Sequence, residues 1–285
     1  MSLQLGAVAG LFNRPALLHP GSTFEAFGLL AQWAQAMRTG AGPKALEGDA
    51  RSRYEWKPYG VIEGTGVALI PVRGILINRL GAYGWWCEDY IQGYDQLRLM
   101  LLTALADEEV DAIVLSVDSP GGEVAGCFDL VDTIFEARSV KPIWAILEEN
   151  AYSAAYAIAS AASKVFVPRT GGTGSVGVIC EHLSIAGFLS QLGIEPTLVF
   201  AGDRKADFSE YSPLSEDARK RLQADVDATA ALFHQTVARN RGLSAADVAA
   251  LQAGTFQGKA GVDLGLADGV ASPDGAFRDL LKQLG

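Results

Sequence analysis

Ser153 and the pair Gly121-Gly122 are the residues of this chain whose type and setting could do chemistry. Ser153 follows an apolar run, Ile143-Trp144-Ala145-Ile146-Leu147, and stands among Ala151, Ala154 and Ala155 at the predicted first turn of a helix. Small neighbours let a peptide carbonyl approach its hydroxyl, and a helix start offers backbone N–H groups and partial positive charge. Gly121-Gly122 close Asp118-Ser119-Pro120-Gly121-Gly122, which follows a second apolar run, Ala112-Ile113-Val114-Leu115. Paired glycines predict a turn with no side chain over the backbone, so the Gly122 N–H could point into a cleft. With the Ala154 N–H it would form a two-donor oxyanion hole, in which each donor is worth about 3–4 kcal/mol of barrier. A hydroxyl nucleophile beside two amides is the equipment of acyl transfer. Taken singly, Ser153 also reads as a plain helix cap, and Pro-Gly-Gly as an ordinary strand-to-helix turn.

A serine needs a base. No histidine lies in either motif. His182 falls at the start of a predicted helix and His234 in the middle of another. Lys205 lies in the loop Ala201-Gly202-Asp203-Arg204-Lys205-Ala206-Asp207. A lysine acts as a base near neutral pH once burial or nearby positive charge lowers its pKa. On spacing alone, Lys205 reads as a solvated loop residue beside Asp203 and Asp207, and His182 stays open as the base of a Ser–His enzyme.

The elements that must position these residues follow from periodicity. Strands are predicted at Val67 to Val72, Asp111 to Val117, Ile143 to Leu147, Val165 to Val167 and Glu195 to Phe200. Helices are predicted at Tyr90 to Ala106, Gly122 to Arg138, Ser153 to Ala162, Glu181 to Leu192 and Leu214 to Asn240, the last with Ser215 as a possible N-cap. Continuous apolar strands alternating with helices predict an α/β fold with a mostly parallel sheet and helices on both faces. Residues 1–60 differ. Phe24 to Met37 has helical spacing after Gly21-Ser22-Thr23, and a polar linker follows, so the section reads as an N-terminal helical arm ahead of a domain over residues 61–285.

Bulk properties narrow the function. The net charge is −10 and no basic run occurs, which argues against nucleic acid as a partner. The three cysteines (Cys87, Cys127, Cys180) and three histidines (His19, His182, His234) are scattered, so neither a metal site nor a disulfide framework is expected. No apolar stretch has bilayer-spanning length and no leader pattern opens the chain, so a soluble cytoplasmic protein without membrane contact is expected.

In order, the segments Asp118-Ser119-Pro120-Gly121-Gly122, Ala151-Tyr152-Ser153-Ala154-Ala155-Tyr156, Thr173-Gly174-Ser175-Val176-Gly177-Val178, Lys205-Ala206-Asp207 with Ser212-Pro213-Leu214-Ser215, Arg241-Gly242-Leu243-Ser244 and Gly265-Leu266-Ala267-Asp268 resemble the S49 peptidase family. The resemblance spans about Gly66 to Val270. It implies a Clp protease/crotonase-like core and a Ser–Lys dyad of Ser153 and Lys205, with Gly122 and Ala154 as the oxyanion hole. Gly121, Gly174, Ser175 and Val176 would line the substrate cleft, where the backbone of the Thr173 to Val178 turn could pair with an extended peptide. It implies no cofactor and no metal. Members often have Asn where Asp118 stands and glycines where Ala and Tyr flank the serine; Tyr152 and Tyr156 would then narrow the pocket. The stretch Asn13-Arg14-Pro15-Ala16-Leu17-Leu18-His19-Pro20 resembles the start of the phage and prophage head-maturation proteases, similar to the minor capsid protein C of lambda-like phages. That branch implies cleavage of scaffold, portal or capsid proteins inside a procapsid, a homo-oligomer with Trp85, Trp86 and Tyr90 as candidate contacts, and in some members a scaffold extension, which after Asp268 is expected here to be missing, cut off or separately encoded. A cellular signal peptide peptidase, a silent assembly module and a crotonase-like acyl-CoA enzyme are the alternatives.

Overall fold

In chain order the strands are β1 (Ala16–Leu18), β2 (Gly60–Ile62), β3 (Val67–Ile77), β4 (Ile91–Gly93), β5 (Ala112–Glu123), β6 (Ile143–Tyr152), β7 (Lys164–Val167), β8 (Gly172–Gly174), β9 (Thr255–Gln257) and β10 (Gly269–Val270). The computed structural model describes residues 16–18, 57–80 and 91–285. The central order is β10-β7-β6-β5-β3-β2. Pairing is parallel from β3 through β5, β6 and β7 to β10, and antiparallel between β2 and β3. The expected α/β class with a mostly parallel sheet is what the chain adopts.

Both faces of the sheet are covered, as the continuous apolar runs require. Alternate residues point to opposite faces of a strand. Ala68, Ile70, Ile113, Leu115, Ile143 and Ala145 enter one core, and Val67, Ala112, Val114, Trp144 and Ile146 the other. Helices α1 (Tyr94–Ala106), α2 (Cys127–Ala137) and α3 (Ala154–Ser160) pack on the first face. Helix α2 buries Cys127, Leu130, Val131, Ile134 and Ala137, a single stripe at helical spacing. Helix α3 is buried at all seven positions, and its small residues let it lie close to the sheet. Next come α4 (Ala186–Gln191), α5 (Glu216–Arg241), α6 (Ala245–Ala250), α7 (Lys259–Asp263) and α8 (Pro273–Leu284). The other face receives α8 through Ala276 and Leu280. Ser215 caps α5 by accepting the Ala218 N–H, as expected.

Several expectations are corrected. Ser119-Pro120-Gly121-Gly122 is not a turn: β5 runs extended through it to Glu123, so α2 starts at Cys127, not Gly122. Glu195 to Phe200 forms no strand; the run is exposed and pairs with no sheet edge. Apolar character favours a strand only where a partner supplies backbone hydrogen bonds. The helix expected from Glu181 shrinks to α4, and the one expected from Tyr90 starts at Tyr94 after the short strand β4. The Phe24 to Met37 helix, Trp85, Trp86, Cys87 and Tyr90 lie outside the described residues. Among the described residues, no helix is long and apolar enough to cross a membrane.

The stretch ahead of β2 is tied to the core. Lys57 Nζ lies 2.7 Å from Asp107 and 2.8 Å from Glu109, and the Tyr59 hydroxyl donates to Asp107 just past the end of α1. The Lys57 and Tyr59 hydrogen bonds hold the Asp107 carboxyl well below the usual carboxylate range. Burial, then the bond to Asp107, pushes Tyr59 up to about 12. A carboxyl depressed on folding contributes stability above its unfolded pKa and loses it as the pH falls through that value towards the folded one. Asp107→Asn is therefore expected to lower Tm at pH 7, with the gap to wild type narrowing as the pH drops below about 4. Thermal melts of both proteins across that range check this; a gap that does not depend on pH would refute the ion-pair account.

Candidate active site

Two irregularities shape the end of β5. Its register shifts against β3 between Arg73 and Ile75, and against β6 between Val117 and Ser119. Bulges of this kind bend a strand and end pairing. After Ser119↔Ala151 no further pairs join β5 to β6, yet β5 stays on β3 through Ile75↔Gly121 and Leu76↔Gly122. The Ser119 hydroxyl donates to the Gly74 carbonyl at 2.7 Å and accepts the Gly121 N–H at 3.1 Å. The Asp118 carboxylate accepts the Asn150 N–H at 3.2 Å just before the strands part. Both glycines are required here. Gly121 has φ +107°, and a Cβ on Gly122 would sit 1.8 Å from the Leu76 carbonyl oxygen.

Ser153 stands between β6 and α3 with φ 56° and ψ −122°, a conformation that costs a non-glycine residue about 1–3 kcal/mol. Its N–H donates to the Gly174 carbonyl at 2.9 Å, and its carbonyl accepts the Ala157 N–H at 2.9 Å. The residue is fully buried (0% exposed). Among the described residues its Oγ has no hydrogen-bond partner. An unsatisfied buried hydroxyl costs about a further 1–3 kcal/mol, and a native group left so calls for an explanation. The backbone bonds on both sides hold the strain in place and aim the hydroxyl. Ala154, as the first helical residue, has no intrahelical acceptor for its N–H. Helix α3 is two turns long, so any donor strength comes from that N–H and little from a macrodipole.

Gly121-Gly122 and Ser153-Ala154 share the C-terminal edge of the parallel sheet. Each pair lies just beyond the Ser119↔Ala151 register pair, and the Cys127 thiol at the start of α2 donates weakly to the Ala154 carbonyl at 3.9 Å. Ligand sites of open α/β sheets gather at this edge. Burial pushes the Cys127 thiol up to about 12, which removes it as a rival nucleophile.

Of the other expected site residues, Gly174 touches Ser153 through its carbonyl. Gly174 ends β8, which is parallel to β6 on one side and antiparallel to β9 on the other, so Gly172–Gly174 has no open edge for an added strand. Ser175 (φ 54°) is buried and donates its N–H to Gly254 O at 2.8 Å, while the Val176 side chain joins the core. Tyr156 does not face a pocket: it is fully buried and donates its hydroxyl to Leu266 O at 2.8 Å. Lys205 is exposed on a loop, and neither it nor His182 hydrogen-bonds Ser153. Asp207 pairs with Arg221 at 2.7 Å, and His182 Nε2 lies 3.2 Å from Ser209 O. Within one chain, then, the structure brings Ser153 to the sheet edge that carries the glycine pair, but among the described residues no base hydrogen-bonds it.

Two more of the motifs prove architectural. Arg241 pairs with Asp268 at 2.9 Å and donates to Gly265 O at 3.0 Å, while Asp268 accepts the Val165 N–H at 2.7 Å. They fasten the end of α5 to β7 and to the chain entering β10. Among the described residues no cluster of His, Cys, Asp or Glu is grouped to hold a metal.

One partner of the site was missed by sequence reasoning. β1 pairs antiparallel with β5, Ala16↔Glu123, Leu17↔Gly122 and Leu18↔Gly121, so this part of the arm belongs to the core sheet. The available signal was a short apolar segment between Pro15 and Pro20.

Comparison with known proteins adds a lineage. The sequence model of peptidase family S49 matches residues 136–285. The head-tail preconnector protein GP5 of Enterobacteria phage P21 is 34% identical over 92% of this chain and 54% of its own length. The capsid assembly protease C of Escherichia phage lambda is 38% identical over 79% of this chain and 50% of its own. The chain thus spans about half the length of these curated relatives. Among solved structures, a mutant of the 1510-N membrane-bound stomatin-specific protease in complex with a substrate peptide aligns over 72% of this chain and 75% of its own, at 15% identity and a TM-score of 0.43.

Proposed function

The chain belongs to peptidase family S49, and from that premise we propose that it is a serine endopeptidase that cuts scaffold, portal or capsid proteins during phage head maturation. The observation that carries the reading is the buried, strained, unpartnered Ser153 hydroxyl at the sheet edge that also carries Gly121-Gly122. Ser153 Oγ attacks the scissile carbonyl. The Gly122 and Ala154 N–H groups hold the oxyanion, and the base returns the proton to the leaving amine. No cofactor takes part in that sequence. Its setting is the host cytoplasm, inside the procapsid, away from membrane and nucleic acid.

Lys205 is the proposed base, brought to Ser153 by a second copy of the chain. A lysine works as a base only after burial lowers its pKa. Lys205 is exposed in a segment that also exposes Phe188, Leu192, Val199 (93%) and Phe200. Covering these apolar side chains in a homo-oligomer would remove the amine from water. In this reading Lys205→Ala lowers kcat about 10²–10⁴-fold, and His182→Ala leaves it within about twofold. Mixing Ser153→Ala chains with Lys205→Ala chains restores cleavage, because one intact half-site comes from each. The reverse ranking, or full activity of a monomer sized by light scattering, defeats the assignment. A phosphonate probe that labels Ser153, located by mass spectrometry, separates an active enzyme from a silent assembly module.

A further inference from the structure

The edge of β5 that β6 gives up is not left open. A strand has two edges. Over Gly121 and Gly122 one is held by β3, and the other carries β1 in antiparallel register, with Leu17 opposite Gly122. We propose that this edge is an acceptor for an extended peptide, and that the chain's own Ala16–Leu18 is its resident strand, a tethered competitor that must leave before another peptide can pair beside Ser153. The functional meaning of this rests on the peptidase reading above.

Three observations carry it. First, the occupied edge includes the glycine whose amide is the proposed oxyanion donor, so a peptide paired there runs its backbone past the nucleophile. Second, Ser153 has no exposed surface. At this edge of β5 the three-residue β1 forfeits few hydrogen bonds on release, so it can withdraw to admit a substrate backbone. Third, Pro15 and Pro20 bound the segment. Proline has no N–H to give to a ladder. Weak pairing still keeps the site filled because the segment is covalently attached: a tether holds it at an effective concentration on the order of millimolar. A substrate must outcompete that, and its apparent affinity falls by the fraction of chains in which the edge is free.

The test uses the full chain carrying Ser153→Ala, so that binding is read without cleavage. One form keeps Ala16–Leu18; the other carries Ala16→Gly, Leu17→Ser and Leu18→Gly. The probe is a fluorescent synthetic peptide with the sequence of residues 11–21, followed by anisotropy. The expected result is at least tenfold tighter binding to the substituted chain, and loss of that binding when the peptide itself carries Leu17→Pro. Equal affinity for both chains, absence of binding to both, or undiminished binding of the Leu17→Pro peptide would overturn the proposal. Equal Tm values for the two chains confirm that both are folded. Because the readout is non-catalytic, a wild-type chain that cleaves nothing would take down the peptidase reading and leave this result standing.

Discussion

Ser153→Ala is expected to lower cleavage of a peptide or protein substrate by about 10⁴-fold or more while raising Tm. The activity loss follows from removing the proposed nucleophile; losing a nucleophile of this class costs up to about 10⁶ in kcat. The gain in stability follows from the same atom. Ser153 Oγ is buried and makes no hydrogen bond among the described residues. Deleting it removes a desolvation cost of about 1 kcal/mol or more, worth about 2–4 °C for a chain of this size. Ser153→Gly should gain further, because φ 56° with ψ −122° is comfortable for glycine and strained for serine. Opposed changes in activity and stability at one residue mark a group kept for function. Calorimetry and a cleavage assay on the same three proteins decide it. A fall of several degrees in Tm, or retained cleavage, would show Ser153 to be a structural cap.

Gly122→Ala has the second large expected effect, and it strikes both fold and site. The added Cβ would meet the Leu76 carbonyl oxygen at 1.8 Å, its carbon at 2.5 Å and the Leu76 Cα at 2.7 Å. All three are backbone atoms of β3, so no side chain can swing aside. The end of β5 must part from β3, at about 3 kcal/mol or more. With Gly122 as the proposed oxyanion donor, its displaced N–H brings a loss of about 10²–10³ in kcat in whatever protein remains folded. Gly187→Ala is the control for the fold: its Cβ would meet nothing within 4 Å, inside α4, and should leave Tm near wild type. Wild-type Tm in Gly122→Ala would mean that the close approach of the two strands does not exist.

Legibility in the sequence tracked the range of the interaction involved. The runs Val67 to Val72, Asp111 to Val117 and Ile143 to Leu147 were readable as buried parallel strands because, Asp111 and Ser116 apart, every residue is apolar, and burial on both faces demands that. Ser215 was readable as a cap because the capping bond spans three residues. Ser119-Pro120-Gly121-Gly122 was misread, since its residue types favour turns locally, while pairing with β3 and β1 keeps it extended. Glu195 to Phe200 was misread for the opposite reason: its residues suit a strand, but no edge is offered to it. The glycines of Gly174 and Gly265 looked like parts of one motif series, and only the contacts separate a residue bonded to Ser153 from one bonded to Arg241.

The amino-acid sequence by itself determined the layered α/β architecture, the strand-to-helix junction at Ser153 and the glycine pair at Gly121-Gly122, because apolar periodicity and small-residue placement act over a few positions. Only the tertiary structure decided that Ser153 is held in a strained, unpartnered state, that β5 parts from β6 to free an edge, that Ala16–Leu18 occupies that edge, and that Lys205 stands in solvent within a single chain. Those outcomes depend on which distant backbone groups satisfy one another, and nothing in local residue preference specifies the partner.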